Sequence, residues 1–225
     1  MEEPLEILNV LDSVKPVPNR SLGGARIVGV HIEGPFISKA RAGEQNQKLI
    51  RMPVAREWRK YLRYGKLVTQ MTLAPENQGG LPLIRALRKA GVIANGGHTD
   101  ANEWQLEPAL AAGLNQATHI VSAMSSVIKK RGPYRMAGML EFALAHDEIV
   151  CELIADGLHV PPTMMRMIFS AKGRDGVCLI TDATLGAGLK ADAKFMLGGV
   201  RARVTDRVAE LEDGTALAGS TLTMI

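Results

Sequence analysis

The sequence predicts an α/β fold built on a parallel sheet. Short apolar runs alternate with helical stretches six times along the chain. Several runs are near-continuous rather than alternating, as in Ile149-Val150-Cys151 and Cys178-Leu179-Ile180. Strands buried on both faces read that way, and parallel sheets are made of them. A third observation concerns function as well as fold: acidic residues and histidines gather at the ends of the runs.

The six expected strands are Arg26 to Ile32, Leu67 to Leu73, Val92 to Ala94, Gly113 to Thr118, Ile149 to Ala155 and Val177 to Thr181. Helices are expected between them. One opens at Pro53 and carries Trp58 and Leu62. The next runs from Leu81 to Ala90 and stops at Gly91. A third is capped by Asp100 or Asn102 and ends at Gly113. Gly138 to His146 is the fourth. The fifth starts at Pro161-Pro162, turns Met164, Met165, Ile168 and Phe169 to the core, and stops at Gly173. Proline at helix starts and glycine just past helix ends is the expected asymmetry. After about Phe195 the pattern changes. Val200 to Val204 and Val208 to Leu211 are short and strand-like, with turn signals at Leu197-Gly198-Gly199 and Asp213-Gly214. The expected division is a lead-in helix or loop over residues 1–25, the α/β body over 26–194, and a β annex with a return segment over 195–225.

With 225 residues, 46% of them hydrophobic, the chain can bury a sizeable core. The net charge of +4 is mild and spread along the chain, which suits an anionic small molecule better than nucleic acid. The most basic run, Lys129-Lys130-Arg131, has no interleaved aromatics for base stacking. No apolar run approaches the ~20 residues needed to cross a bilayer, and the acidic start Met1-Glu2-Glu3-Pro4 is unlike a signal peptide. Cys151 and Cys178 lie far apart in apolar runs and read as buried free thiols. A cytoplasmic protein is expected, with no membrane and no nucleic-acid partner.

Glu33 closes the first run and His98 follows the third. His119 closes the fourth, Asp156 and His159 follow the fifth, and Asp182 follows the sixth. In parallel α/β folds, ligands bind at the carboxyl ends of the strands. An isolated Glu after a strand is ordinarily a loop residue, and an isolated His ordinarily a hydrogen-bonded structural one. Five of six strands delivering such residues to one rim is a different matter. One carboxylate and two imidazoles can bind a divalent transition metal and leave a position open for water. Bound metal lowers the pKa of that water and polarises a carbonyl. Asp182, at the end of the last run, is placed to take the water proton and return it to a leaving nitrogen. His146, late in a helix beside Asp147, is assigned no chemistry.

Several blocks in order resemble one family. They are Gly29-Val30-His31-Ile32-Glu33-Gly34-Pro35-Phe36, Thr72-Leu73-Ala74-Pro75-Glu76, Gly97-His98-Thr99-Asp100-Ala101 and Ala117-Thr118-His119. Then come Ile154-Ala155-Asp156-Gly157-Leu158-His159-Val160, Leu179-Ile180-Thr181-Asp182-Ala183 and Leu217-Ala218-Gly219-Ser220-Thr221-Leu222-Thr223-Met224. The family is that of the N-acetylglucosamine-6-phosphate deacetylases, metal-dependent amidohydrolases. The resemblance implies a partial TIM (β/α)8 barrel with about six strands present. It implies hydrolysis of the sugar's N-acetyl amide to glucosamine 6-phosphate and acetate. Glu33, His98 and His119 would bind one divalent ion, zinc first, with iron or manganese also accepted. Asp182 would be the general base and then the general acid. His159, with Asp156 and Gly157, would contact the sugar, and Glu44 and Gln45 would also bind the substrate. The backbone at Ser122-Ala123 and a basic residue near Arg131 would hold the phosphate. Leu217, Ala218 and Gly219 would line the sugar pocket. A homo-oligomer, a dimer at full length, goes with this reading.

The sequence departs from the family's pattern in three places. The family usually has a histidine about a dozen residues after the metal-binding Glu, near the reacting carbonyl; by spacing that position is Gln45. The segment after His119 usually reads Asn-Ala-Met, and here it is Ser122-Ala123-Met124. The loop that follows leaves the phosphate contact open between Lys130, Arg131 and Arg135. Finally, a complete barrel has eight strands and family members begin with a β-rich segment and two further strands. The chain therefore reads as a fragment truncated at both ends, with exposed sheet edge. Two other readings stay open: a different amidohydrolase, such as a cyclic amidase or deaminase, and an inactive barrel used for binding.

Overall fold

Six parallel strands in chain order form a curled sheet with helices on its outer face, as a computed structural model of the chain shows. It describes residues 2–15, 17, 25–127, 130–205 and 208–222, with the backbone alone at Lys130 and Arg131. A lead-in helix, α1 (Pro4–Val14), precedes β1 (Val30–Glu33). Next come α2 (Ala55–Leu62), β2 (Val68–Leu73), α3 (Gly80–Lys89), β3 (Ile93–Gly96), α4 (Glu103–Ala112) and β4 (Gln116–Ala117). A two-stranded hairpin, β5 (Lys130–Arg131) and β6 (Tyr134–Arg135), leads to α5 (Met139–Ala145), β7 (Val150–Ile154), α6 (Pro162–Lys172) and β8 (Val177–Ile180). The parallel sheet runs β1-β2-β3-β4-β7-β8. β9 (Lys194–Leu197), β10 (Val200–Val204) and β11 (Ala209–Leu211) form a separate antiparallel sheet.

Local chemistry sets the element ends. Asn102, not Asp100, caps α4. Its side chain accepts from Trp104 N at 3.1 Å, and Gln105 returns a bond to Asn102 N, so two otherwise orphaned amides are satisfied. Gly97 is required by crowding: a Cβ there would lie 2.7 Å from Thr118 Cβ and 2.8 Å from Thr72 Cγ2. The core between sheet and helices includes Met71, Leu73, Leu83, Ile84, Leu106, Leu114, Ile149 and Leu153, all fully buried.

The concave face is polar. Gln70, Asn95, Gln116 and Glu152, one from each of four neighbouring strands, interlock. Gln116 Nε2 donates to Gln70 Oε1 at 2.9 Å and to Glu152 Oε1 at 2.5 Å. Asn95 Nδ2 reaches the same two oxygens at 3.1 and 3.2 Å. One layer nearer the rim, His31 Nε2 meets Thr72 Oγ1 at 2.7 Å, and Thr72 meets Thr118 at 2.6 Å.

Four sequence expectations need correction. Cys178 is exposed, not buried; Cys151 is buried. The last parallel strand, β8, has no sheet neighbour on its far side among the described residues, so Cys178 and Leu179 are open to solvent. For the same reason Phe169 on α6 is exposed, although Ile168 is buried and Met164 and Met165 are half-buried. The first strand begins at Val30 rather than Arg26. The hairpin and β9 have no counterpart among the sequence expectations; β9 ends on Leu197, the first residue of the turn signal Leu197-Gly198-Gly199. Thr223 and Met224 lie outside the described residues.

Candidate active site

Glu33, His98 and His119 converge at the carboxyl ends of β1, β3 and β4. One ligand atom from each lies within 4.8 Å of the others. His98 Nε2 is 2.9 Å from Glu33 Oε1, His119 Nε2 is 3.7 Å from the same oxygen, and the two Nε2 atoms are 3.1 Å apart. His98 is oriented from behind: its Nδ1 donates to the carbonyl of Arg41 at 2.8 Å. That bond places the proton on Nδ1 and leaves Nε2 as a lone-pair donor.

The electrostatics follow from this crowding. Burial raises the pKa of Glu33, but hydrogen bonds from His119 and His98 overcome it and hold the carboxyl well below its usual range. Burial lowers that of His119, yet the Glu33 carboxylate beside it wins and pushes it up to about 9. Two imidazole nitrogens 3.1 Å apart beside one carboxylate oxygen call for a shared positive charge, either a proton or a metal ion. A carboxylate and two imidazole nitrogens around one point form a donor set that fits a divalent transition metal. Asp182 stands apart from the triad. Burial first, then the charge of Glu33, raises its pKa to about 7.

The backbone bends sharply at these residues. His98, His119 and Asp182 have φ of 45°, 31° and 49°, the left-handed region that non-glycine residues avoid. Residue type alone does not reveal that feature.

A cavity of about 220 Å³ adjoins the triad. It is lined by His98, His119 and Asp182, by Glu44, Ser122 and Ala123, and by His159, Leu217 and Gly219. His159 is fixed by Asp156, whose Oδ2 lies 2.6 Å from Nδ1 and whose Oδ1 accepts from the amides of Leu158 and His159. Burial raises the Asp156 pKa, but the hydrogen bond from His159 outweighs it, and the carboxyl ends below its ordinary value. The return segment closes over the rim. Ser220 N donates to Asp182 O at 2.9 Å, and Gly219, at φ +66°, packs where a Cβ would meet Thr184 at 2.3 Å.

Other expected residues sit elsewhere. Ala218 is fully buried behind the pocket, and Asp156 acts through His159. Gln45 does not line the cavity; its amide donates to Glu33 Oε1 at 2.9 Å. Arg135 is exposed on the hairpin. The side chains of Lys130 and Arg131 lie outside the described residues. His146 stacks on Phe142 at the end of α5 and does not line the cavity. The Arg41 carbonyl and Leu158 join the site without having been expected. A main-chain acceptor leaves no trace in residue type, whereas Leu158 lay inside a block already singled out.

A curled parallel sheet with a carboxylate, two histidines and an aspartate at its strand ends defines a class: the barrel scaffold of the metal-dependent amidohydrolases. Over 211 residues the chain is 42% identical to an N-acetylglucosamine-6-phosphate deacetylase of Bacillus subtilis, covering 93% of this chain and 52% of that protein. It is 33% identical to an N-acetylgalactosamine-6-phosphate deacetylase of a Shewanella species, over 88% of this chain and 48% of that one. A solved structure of a mutant N-acetyl-D-glucosamine-6-phosphate deacetylase from Mycobacterium smegmatis, in complex with N-acetyl-D-glucosamine-6-phosphate, superposes with a TM-score of 0.88. That pair is 31% identical, over 99% of this chain and 56% of that chain. No family model matches the chain. The chain belongs to the N-acetylglucosamine-6-phosphate deacetylase family and spans about half the length of the relatives it matches.

Proposed function

We propose that the protein carrying this chain hydrolyses the N-acetyl amide of N-acetylglucosamine 6-phosphate, releasing acetate and glucosamine 6-phosphate. The observation that carries this reading is the convergence of Glu33, His98 and His119 on one point, beside a cavity that His98, His119 and Asp182 line. The names of the relatives supply the substrate class.

Glu33, His98 and His119 hold one divalent ion, zinc in this reading. Such an ion lowers the pKa of water and polarises the acetyl carbonyl. Asp182 takes a proton from the attacking water as the new C–O bond forms. It then gives that proton to the amide nitrogen as the C–N bond breaks, so acetate and an amine leave. Its raised pKa suits a group that must both accept and donate near neutrality. His159, turned by Asp156, offers Nε2 to a sugar hydroxyl. Glu44, which lines the cavity, flanks the acyl end. Leu217, Ala218 and Gly219 wall off solvent. The backbone at Ser122-Ala123 and a basic residue of the hairpin region, Arg131 first, hold the phosphate.

The rest of the reading is a cytoplasmic homodimer acting on a small molecule. The mild, dispersed charge favours that over nucleic acid. Among the described residues, no helix is long and apolar enough to cross a membrane.

The test is acetate release from N-acetylglucosamine and N-acetylgalactosamine, each with and without a 6-phosphate, set beside ring opening of a cyclic amide. Hydrolysis should need added divalent metal and be fastest on N-acetylglucosamine 6-phosphate. Turnover of the cyclic amide alone would replace this reading with a cyclic amidase.

A further inference from the structure

One short segment stands behind two of the three converging donors. The carbonyl of Arg41 accepts from His98 Nδ1 at 2.8 Å, and four residues on, Gln45 Nε2 donates to Glu33 Oε1 at 2.9 Å. The segment is anchored along its length. Ser38 N donates to His98 O at 2.8 Å, and the Arg41 guanidinium meets Asp100 at 3.0 and 3.1 Å. Gly43 backs onto the His98 ring, where a Cβ would lie 3.3 Å from Cε1. At its far end Asn46 Nδ2 donates to Gly198 O in the annex at 3.2 Å.

The oxygen that Gln45 holds is the one turned toward both histidines. Glu33 hangs on three rotatable side-chain bonds. A fixed donor on Oε1 selects the rotamer that faces His98 and His119. Gln45 also suits the task chemically. Its amide has two N–H groups and no charge. One points to Glu33 Oε1; the same nitrogen lies 3.4 Å from Glu44 Oε1. A cationic side chain in this place would compete with a metal for the carboxylate, and a neutral amide does not.

We propose that Gln45 is a positioning residue of the metal centre, holding Glu33 in its ligating rotamer, rather than a group that acts on the substrate. This rests on the reading that Glu33, His98 and His119 bind the metal. Partners that orient metal ligands are worth ~10- to 100-fold in metal affinity.

The experiment is zinc affinity, measured by competition with a chromophoric chelator, for the unaltered protein and for Gln45→Met, Gln45→Leu and Lys48→Met. Met matches the length of Gln but donates nothing. Leu is shorter and likewise offers no donor. Both should weaken zinc binding ~10-fold or more, while Lys48→Met leaves it unchanged. The visible absorption of the cobalt-loaded protein should shift in Gln45→Met, which a merely structural role would not cause. Should Gln45→Met fail to fold, Gln45→Leu carries the comparison. Equal zinc affinity and an unshifted cobalt band in the Gln45 variants would overturn the proposal alone. An unaltered protein that binds no zinc would overturn the function reading with it.

Discussion

Asp156 grips His159 from two sides: Oδ2 lies 2.6 Å from the imidazole Nδ1, and Oδ1 takes the backbone N–H of the same histidine at 2.9 Å. The ring is thereby turned with Nε2 free of Asp156, beside the cavity. Asp156→Ala removes a charge-assisted bond, so the ring should lose its orientation. We expect KM for the sugar phosphate to rise ~10-fold with a smaller change in kcat, because the contact serves binding. Steady-state kinetics check this; an unchanged KM would mean that His159 does not touch the substrate.

Asp182→Asn keeps the shape of the site and removes the proposed base. Turnover should fall at least ~100-fold while bound metal is retained. The pH dependence has a defined sign. The Asp182 carboxyl, raised from 3.8 to about 7 by burial and by Glu33, works as a base only when ionised, so activity falls as pH drops through its pKa. A cation beside it favours the carboxylate, which puts the midpoint of the loaded enzyme below 7. A pH–rate profile of kcat with no acidic limb would show that another group is the base.

His119 links the site to stability. In the metal-free chain its pKa is about 9, above the ordinary 6.5. A group that binds its proton more tightly when folded contributes fully below pH 6.5 and loses that contribution as pH climbs through about 9. The melting temperature of chelator-treated protein should fall across that window. His119→Ala should flatten this fall and, with one of three donors gone, release most of the bound metal. Thermal melts and elemental analysis provide both readouts; a flat melting profile in unaltered, chelated protein would sink the assignment.

The rim is legible in the sequence because each of its residues follows an apolar run. Glu33, His98, His119 and Asp182 mark the strand ends as clearly as the glycines mark the turns. The layer beneath it is not legible. Gln70, Asn95, Gln116 and Glu152 each fall inside or beside a strand, and a single polar residue there has no meaning until its three neighbours meet it across the concave face. The exposure of Cys178 and Phe169 depends on what packs beyond the last strand, which local pattern does not encode. The role of Arg41 runs through its carbonyl and so is independent of its side chain. Among the described residues β9 pairs only with β10, a partner that follows it in the chain, and its four residues alternate exposed and half-buried too briefly to stand out.

The left-handed backbone at His98, His119 and Asp182 sets durability against chemistry. Each such residue costs on the order of 1 to 3 kcal/mol that a glycine would largely avoid. A library of this chain selected for heat resistance alone would therefore drift toward glycine at 182, where burial also works against the carboxylate, discarding the proposed base as it hardened. Directed evolution of this scaffold needs a catalytic or metal-binding screen in every round.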